Sequence, residues 1–392
     1  MRPLEGIKVV TFEHAIAAPF CTRQLADLGA RVIKVERPGA GDFARGYDER
    51  VHGLASHFVW TNRSKESLTL DVKRAEALAI VHALLADADV FVQNLAPGAT
   101  RRLGLDYETL RERYPRLIVC DISGYGSDGP YRDKKAYDLL IQSESGFLSI
   151  TGSPDEPAKA GCSIADISAG MHAYSSILAA LIERGKTGRG RRIDVSMLES
   201  MVEWMSYPLY YAIDGQTPPQ RNGAAHATIY PYGPFKAGDG KSVMLGLQNE
   251  REWKSFCETV LRQPALAEDE RFCSNSRRVT HRAELAKRIE TAFGALTAGD
   301  VIERLEEAKI ANAHVNDMHA VWEHAQLAAR ERWTRVGTPA GEIPALLPPG
   351  ATRADNPRMD PVPALGQHTD AILQELGYDE ARIRTLRESG TV

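Results

Sequence analysis

Short apolar runs alternate with amphipathic stretches over the first third of this chain. The runs predict strands at 9–12, 31–36, 68–71, 90–93 and 117–122. Apolar residues at helical spacing predict intervening helices at 20–28, 74–86 and 107–114. Strands that alternate with helices in this way are typical of a parallel sheet covered on both faces. Ligands of such folds bind at the loops beyond the carboxyl ends of the strands.

The pattern changes in the second half of the chain. A helix at 169–184, a strand at 192–195 and a helix at 197–211 continue the first pattern, and Pro218-Pro219 then breaks it. Beyond this break we predict strands at 230–235 and 242–246, and helices at 252–261, 282–293 and 298–308. The proline- and glycine-rich stretch 337–362 is expected to be irregular, and a last helix is predicted at 368–376. The fold class is therefore α/β, with a large Rossmann-like parallel-sheet domain at 1–220, rejoined by 330–392, and a smaller α+β domain at 221–329.

Composition excludes several classes of function. A formal net charge of −4 over 392 residues gives no broad basic field, so we expect no nucleic-acid partner. No apolar run is long enough to span a bilayer, and the first residues lack a signal-peptide core, so we expect no membrane association. Five scattered cysteines without a CxxC pair predict reduced thiols in a cytoplasmic protein. The histidines show no metal-ligand spacing, so no metal site is predicted.

Two glycine motifs imitate nucleotide sites. The run Gly124-Tyr-Gly-Ser-Asp-Gly129 matches GxGxxG after a strand, but Pro130 to Lys135 reads as a loop and not as the helix that the fingerprint requires. Arg184-Gly-Lys-Thr187 resembles the end of a P-loop at the C-terminus of a predicted helix, the wrong end for cradling phosphate. Neither motif predicts nucleotide binding.

The segment around Asp166 carries the clearest chemistry. Asp166 stands at the start of an apolar helical stretch for which Gly185 is the predicted stop. The unpaired N–H groups of a helix N-terminus favour an ionised carboxylate. Taken by itself, the segment leaves two readings open: Asp166 caps the helix, or it is a carboxylate nucleophile or base.

The order of motifs along the chain resembles the class III coenzyme A transferases, the family of formyl-CoA transferase and the carnitine-related CoA transferases. The resemblance begins at Pro3-Leu-Glu-Gly-Ile-Lys and extends over nearly the whole chain. Its further motifs are Ala18-Pro19, Leu28 to Arg37, Gly39-Ala-Gly-Asp42, Asn62 to Leu68, Val92 to Gly98, Ser123 to Gly126, Asp166 to Gly170 and Lys186 to Arg191.

The resemblance implies a role for Asp166. In this family the carboxylate attacks an acyl-CoA thioester, and the reaction continues through an aspartyl anhydride and an aspartyl-CoA thioester. It implies a coenzyme A thioester as substrate and no permanently bound cofactor. The positions that match the family's CoA site are His14, Ala15, Arg37, Leu70, Lys73, Asn94, Leu95, Arg102 and Lys135. It also implies an interlocked homodimer.

Two departures from the family pattern bear on the acceptor side. Formyl-CoA transferase has a glycine run that closes over its site, whereas the matching stretch here, Leu245 to Asn249, has one glycine, so Gln248 and Asn249 become acceptor-contact candidates. The related α-methylacyl-CoA racemases place a histidine base before an aspartate, where this chain has Tyr137 before Asp138. Tyrosine is a poor base at neutral pH, which favours a transferase.

We therefore expect transfer of CoA from an acyl-CoA donor, succinyl-CoA, to a small carboxylic acid. The expected acceptor is a dicarboxylate of the itaconate, mesaconate, citramalate, malate or glutarate type. Tyr137 and His226 join Gln248 and Asn249 as substrate-contact candidates. The alternatives are an acyl-CoA racemase or epimerase and a non-catalytic CoA-binding protein.

Overall fold

A six-stranded parallel sheet organises the larger part of the molecule. The computed structural model describes residues 1–392. The strands of this sheet are β1 (Lys8–Phe12), β2 (Arg31–Glu36), β3 (Lys65–Thr69), β4 (Val90–Gln93), β5 (Ile118–Ser123) and β6 (Arg192–Ser196). Their spatial order is β3-β2-β1-β4-β5-β6, all parallel. This is the strand order of a Rossmann-like doubly wound sheet, which confirms the predicted fold class.

Two antiparallel sheets complete the strand inventory. The first consists of β7 (Tyr232–Lys236), β8 (Ser242–Gly246) and β9 (Ala311–His314) in that spatial order. The second is a hairpin of β10 (Trp333–Thr338) and β11 (Gly341–Leu346). The hairpin corrects the expectation of an irregular stretch at 337–362 over residues 337–346. Pro339 and Ala340 form a two-residue turn that joins Thr338 to Gly341, whose φ is +106°.

The helices are mostly short, with two long exceptions. They are α1 (Ala17–Asp27), α2 (Ser56–Thr61), α3 (Ala75–Ala86), α4 (Ala99–Arg102), α5 (Tyr107–Arg113), α6 (Asp138–Glu144), α7 (Phe147–Ile150), α8 (Ile164–Thr187), α9 (Met197–Tyr211), α10 (Glu250–Ser255), α11 (Asn275–Thr280), α12 (Arg282–Phe293), α13 (Ala298–Glu307), α14 (Met318–Trp322), α15 (Ala325–Ala329), α16 (Thr369–Glu375) and α17 (Glu380–Glu388). A five-residue π-helical segment, Phe256–Val260, follows α10. Non-helical backbone at Ser206 kinks α9 two residues before Pro208.

The predicted helix stop at Gly185 is wrong. Helix α8 runs through Gly185 and ends at Thr187, and Gly188, with φ of +72°, is the left-handed C-terminal residue. Gly185 has ordinary helical backbone, with no neighbouring atom near the position of an added Cβ. Two glycines stand near this helix end, and only the one that needs a left-handed conformation terminates it.

Alternation along the strands places helices on both faces of the sheet. Val10 of β1 and Ile33 of β2 belong to a buried cluster with side chains of α3, α16 and α17. The neighbouring positions, among them Thr11 and Lys34, therefore point to the opposite face of the sheet. Helices α1 and α8 pack closely against each other, and α8 also packs against β5 and β6.

The chain divides into two compact units. The larger consists of Met1–Ser145, Ala160–Met205 and Gln326–Val392, and the smaller of Gly146–Lys159 and Ser206–Ala325. The sequence placed the boundaries at 220/221 and 329/330, whereas residues 146–159 and 206–220 group here with the smaller unit. The smaller unit has its own buried core, built from the β7-β8-β9 sheet, α10, α12 and α13.

Candidate active site

The carboxyl edge of the parallel sheet gathers most of the predicted CoA-site residues. These residues follow the ends of strands β1 to β4, and the loop after β5 contributes two more positions. In chain order they are His14 and Ala15, Arg37, Leu70 and Lys73, Asn94 and Leu95, then Lys135 and Tyr137. Because all six strands are parallel, these loops lie along one edge, where doubly wound folds bind their ligands.

His14 and Asn94 meet at the point where the strand order reverses. His14 follows β1 and Asn94 follows β4, the neighbour on the other side of β1 from β2. The Asn94 Oδ1 accepts the His14 backbone N–H at 2.9 Å, and the Asn94 Nδ2 donates to the His14 carbonyl oxygen at 2.9 Å. The Asn94 amide therefore fixes the backbone of His14, and the His14 ring stacks on Phe43 with centroids 5.2 Å apart.

Four predicted CoA-site cations are exposed. Arg37, Lys73, Arg102 and Lys135 all have exposed side chains, and arginine and lysine suit phosphate through charge and donor geometry. Leu70, by contrast, is buried in the core cluster at 1% exposure. Leu70 therefore packs into the core and offers no open surface to a ligand at this edge.

Asp166 lies in the first turn of α8, but it does not cap that helix. The carboxylate of Asp138, the first residue of α6, performs this role: its Oδ1 accepts the N–H of Ala165 at 2.8 Å and the N–H of Asp166 at 3.3 Å. The Asp138 Oδ2 accepts from Gln142 Nε2 at 2.6 Å. The capping interpretation of Asp166 is therefore wrong, and its carboxylate is left for chemistry.

Burial, followed by the charge of Asp138, raises the pKa of Asp166 to about 7. The backbone N–H of Ala17 faces the Asp166 carboxylate and acts in the opposite direction, lowering its pKa. This corrects the expectation that the helix N-terminus favours the ionised form, because Asp138 already occupies the N–H groups that would do so. A carboxyl group with a pKa near neutrality suits a group that must gain and lose negative charge.

The N-terminus of α1 approaches Asp166 through close helix packing. A Cβ added at Gly170, one turn after Asp166, would lie 2.7 Å from the Ala17 carbonyl oxygen. Helix α1 has no side-chain cap of its own and no acidic residue in its first turn. Its first N–H groups are therefore available to a negative charge on Asp166.

An aromatic residue that the sequence did not single out stands near the same carboxylate. Burial, and then the charges of Asp42, Asp166 and Tyr137, raise the pKa of Tyr47 to about 12. Tyr47 packs on Phe43 with ring centroids 5.8 Å apart, next to the His14 ring. The side chain of Tyr137 is exposed.

The acceptor-contact candidates His226, Gln248 and Asn249 lie in the smaller unit. The His226 Nδ1 accepts the N–H groups of Thr228 and Ile229 at 3.2 and 3.0 Å, and its ring stacks on Tyr232. Burial, with Arg282 second, lowers the pKa of His226.

Asn249 caps α10 by accepting the Glu252 N–H at 3.0 Å, while the Gln248 side chain is exposed. Strand β8 ends at Gly246 and α10 begins at Glu250, so three residues connect them.

A family model described as CoA-transferase family III matches residues 4–369. The chain belongs to this family. Among its relatives, the succinyl-CoA:glutarate CoA-transferase of Mus musculus is 36% identical over 100% of this chain and 91% of its own length. The succinate–glutarate CoA-transferase of Agrobacterium fabrum is 36% identical over 95% of this chain and 96% of its own. A crystal structure of a CaiB/BaiF family protein from Brucella suis matches with a TM-score of 0.84 and 34% identity, over 96% of this chain and 99% of that one.

The protein is therefore a class III CoA transferase, and the recognition made from the motifs is confirmed. CoA transferases of this family act on CoA thioesters, and the relatives named above support a carboxylic acid as the second substrate. No helix combines the length and the apolar character that crossing a bilayer requires. No group of three or more histidine, cysteine or acidic side chains is placed to hold a metal ion.

Sequence reasoning about this CoA transferase missed the partners of Asp166. Asp138 was used only to compare the chain with racemases, and Ala17 and Tyr47 were not considered. An aspartate 26 residues upstream of the helix that it caps gives no local signal, because capping rules are read at the helix start itself. The Ala18-Pro19 motif was the available hint for Ala17, since proline early in a helix marks an N-terminus.

Proposed function

We propose that this protein transfers CoA from succinyl-CoA to a small dicarboxylic acid, with glutarate as the first acceptor to test. The observation that carries the proposal is the Asp166 carboxylate, held at the start of α8 with its capping role taken over by Asp138. The names of the relatives from Mus musculus and Agrobacterium fabrum support the succinate and glutarate pair.

Asp166 acts as the nucleophile in this proposal. One carboxylate oxygen attacks the thioester carbonyl carbon, the carbon–sulfur bond breaks, and CoA leaves as a thiolate from an aspartyl–succinyl anhydride. The thiolate attacks the Asp166 carbonyl carbon, releasing succinate and leaving an aspartyl-CoA thioester. The acceptor carboxylate then displaces the thiolate from this thioester, forming a second anhydride. Attack of the thiolate on the acceptor's carbonyl gives the new acyl-CoA and restores the Asp166 carboxylate.

Each exchange passes through a tetrahedral oxyanion on a carbonyl attached to or derived from Asp166. The Ala17 N–H is the backbone donor that faces this carboxylate. A fixed donor of this kind stabilises developing negative charge without reorganisation. His14, fixed through Asn94, is assigned to the thiol end of CoA, and the exposed cations Arg37, Lys73 and Arg102 to its phosphates.

We further propose that two copies of the chain form the interlocked homodimer of the family. Exposed apolar and aromatic side chains cluster at the end of α9 and just after it: Trp204, Tyr207, Leu209, Tyr210, Tyr211 and Ile213. Exposed large apolar and aromatic side chains of this kind are typical of an interface. Light scattering should give twice the chain mass, and a stable, active monomer would contradict the dimer.

The five unpaired cysteines support a reducing compartment, the cytoplasm.

The test of the transferase uses succinyl-CoA with a panel of small acids, including glutarate, mesaconate, itaconate, citramalate and malate. New CoA esters are detected by mass spectrometry. Asp166→Ala should abolish every new ester, whereas Glu183→Ala, which removes an exposed carboxylate from the same helix, should not. Ester formation retained in Asp166→Ala would refute the assignment. Deuterium entering the α-carbon of an acyl-CoA without a second acid would instead indicate a racemase.

A further inference from the structure

Four charged side chains are fully buried beneath the loop that follows β1. Glu13, Lys34, Asp42 and Lys65 each have 0% side-chain exposure. The Glu13 Oε1 lies 2.6 Å from Lys65 Nζ and 3.4 Å from Lys34 Nζ, and Lys34 Nζ lies 2.7 Å from Asp42 Oδ2. We name these four residues the buried charge cluster. Its two cations and two anions balance.

Such a cluster is costly to bury, because each charge loses its hydration. Burial favours the neutral form of Asp42, but the charge of Lys34 and hydrogen bonds to the carboxylate outweigh it, so the pKa of Asp42 is lowered. Burial opposes the charge of Lys34 as well, and the surrounding carboxylates raise its pKa. The geometry shows ion pairing, because each lysine of the cluster donates a hydrogen bond to a carboxylate: Lys34 to Asp42 and Glu13, and Lys65 to Glu13.

The buried charge cluster holds α1 at its first turn. The Lys65 Nζ donates to the Pro19 carbonyl oxygen at 3.0 Å, and the Thr22 hydroxyl donates to Glu13 Oε2 at 2.6 Å. Both Pro19 and Thr22 belong to the N-terminal half of α1. The position of this helix end thus depends on the cluster.

Asp42 also binds the backbone of the loop before α1. Its Oδ1 accepts the Ala15 N–H at 3.1 Å and the Ala44 N–H at 2.9 Å, and lies 3.7 Å from the His14 Nδ1. Ala15 has φ of +60°, a left-handed conformation that costs a non-glycine residue about 1 kcal/mol or more. A hydrogen bond to a buried carboxylate can maintain this conformation. Two residues later Ala17 begins α1. The Ala17 carbonyl oxygen would lie 2.7 Å from a Cβ at Gly170, one turn after Asp166, and the Ala17 N–H lowers the pKa of the Asp166 carboxyl.

We propose that Asp42 is a positioning residue for CoA transfer: by accepting the Ala15 N–H it maintains the left-handed turn that aims the Ala17 N–H at Asp166. Lys34, Glu13 and Lys65 hold Asp42 in place. The inference rests on the proposed function, because the Ala17 N–H matters through the oxyanions formed at Asp166. The acceptor oxygen on residue 42 is the essential feature, and its charge is secondary.

Two double variants separate the acceptor from the charge. Both Lys34→Gln with Asp42→Asn and Lys34→Met with Asp42→Ala leave the cluster neutral, with Glu13 still paired to Lys65. Only the first keeps an oxygen for the Ala15 N–H. We expect the Met/Ala variant to lose about 100-fold in kcat, the usual effect of losing an oxyanion donor, with KM for succinyl-CoA changed by less than about threefold. The Gln/Asn variant should stay within about tenfold of wild-type kcat. Equal kcat in the two folded variants would overturn the proposal.

A third variant leaves every charge in place and covers the case in which the Met/Ala variant does not fold. Ala15→Pro removes the N–H and cannot adopt the positive φ of residue 15, so kcat of the folded protein should again fall about 100-fold, together with a lower thermal midpoint. Wild-type kcat in Ala15→Pro would also overturn the proposal. Mass spectrometry of the covalent CoA adduct of the wild-type enzyme runs alongside. If that adduct is absent, the proposed function itself fails, whereas an Asp166-dependent adduct with unaffected cluster variants rejects only the role of Asp42.

Discussion

The Asp138 Oδ1 lies 3.3 Å from the backbone nitrogen of Asp166, so one carboxylate caps the helix on which the other stands. This relationship has two effects on Asp166. Asp138 takes the N–H groups that would otherwise stabilise an ionised Asp166, and its negative charge, after burial, raises the pKa of Asp166 to about 7. The pKa of the carboxyl group that we propose as the nucleophile is thereby close to neutral pH.

Replacing Asp138 by asparagine should move the acid limb of the pH–rate profile. In the proposed mechanism Asp166 attacks as the carboxylate, so wild-type kcat/KM should rise with pH through about 7. With this pKa, about a tenth of the Asp166 carboxyl groups should be ionised at pH 6. Asp138→Asn keeps an oxygen for the Ala165 N–H but removes the charge, so the limb should shift to lower pH. The measurement is kcat/KM for succinyl-CoA from pH 5 to 9.

The ratio of kcat/KM at pH 6 to that at pH 8 should therefore be higher in Asp138→Asn than in wild type. In this variant the new amide nitrogen would face Gln142 Nε2, which is also a donor. The lost hydrogen bond should lower the free energy of unfolding by about 1 kcal/mol. If the pH dependence of kcat/KM is the same in Asp138→Asn and wild type, Asp138 does not set the ionisation of Asp166.

Asp166 should make the folded protein less stable as pH rises. Its folded pKa of about 7 is above its unfolded value near 3.8, so the folded state binds the proton more tightly. The stabilisation that this proton gives the folded state is fully present below the unfolded pKa. It is lost as pH rises from about 4 to about 7. Asp166→Asn lacks this loss. In denaturant titrations, the free energy of unfolding of Asp166→Asn minus that of wild type should increase between pH 5 and pH 8, by on the order of 1–2 kcal/mol. A difference that is constant across this range would contradict the raised pKa.

Gly170 should be intolerant of a methyl group, whereas Gly185 on the same helix should accept one. A Cβ at Gly170 would lie 2.7 Å from the Ala17 carbonyl oxygen, a backbone atom, so Gly170→Ala must separate α1 from α8. We expect a loss of about 1–3 kcal/mol in unfolding free energy, together with reduced kcat because the Ala17 N–H moves from Asp166.

Gly185→Ala is the matched control for this substitution. No atom lies within 4 Å of a Cβ added at Gly185, so alanine should stabilise α8 by about 0.5–1 kcal/mol. Thermal melts and kcat of the two variants make the comparison. Equal behaviour of both variants would contradict the close packing of α1 on α8 at Gly170.

Asn94→Ala should weaken CoA binding more than it weakens the fold. The variant loses both hydrogen bonds that fix the backbone of His14. KM for succinyl-CoA should rise about tenfold, which corresponds to about 1.4 kcal/mol. Steady-state kinetics at saturating acceptor measure the change.

Asn275→Ala is the matched control, because it also removes an asparagine amide with two hydrogen bonds to the backbone, but away from the sheet edge. The Asn275 amide accepts the Tyr230 N–H at 3.1 Å and donates to the Thr228 carbonyl oxygen at 2.9 Å, within the smaller unit. Its loss should leave KM for succinyl-CoA unchanged. A rise in this KM that is equal in both variants would remove the special role of Asn94.

The sequence by itself determined most of the elements and the family of this protein. The strand at 90–93 and the helices at 197–211 and 282–293 were predicted with the bounds that the structure has, since hydrophobic periodicity is a local property. The ordered motifs also led to the family and to Asp166. Other helices were not predicted, among them α2, α6 and α17, because helices of six to nine residues give only a short periodic pattern.

Only the tertiary structure decided the surroundings of Asp166. Lys34 and Lys65 stand in strands and carry no local sign of being fully buried, because their burial depends on Glu13 and Asp42 arriving from other segments. In the same way, Asp138 caps a helix that begins 26 residues later, and Ala17 reaches Asp166 only because Gly170 lets two helices approach. Electrostatic and packing interactions depend on distance in space. Neighbours along the chain reveal secondary structure, but the ionisation of a carboxylate is set by neighbours brought together by folding.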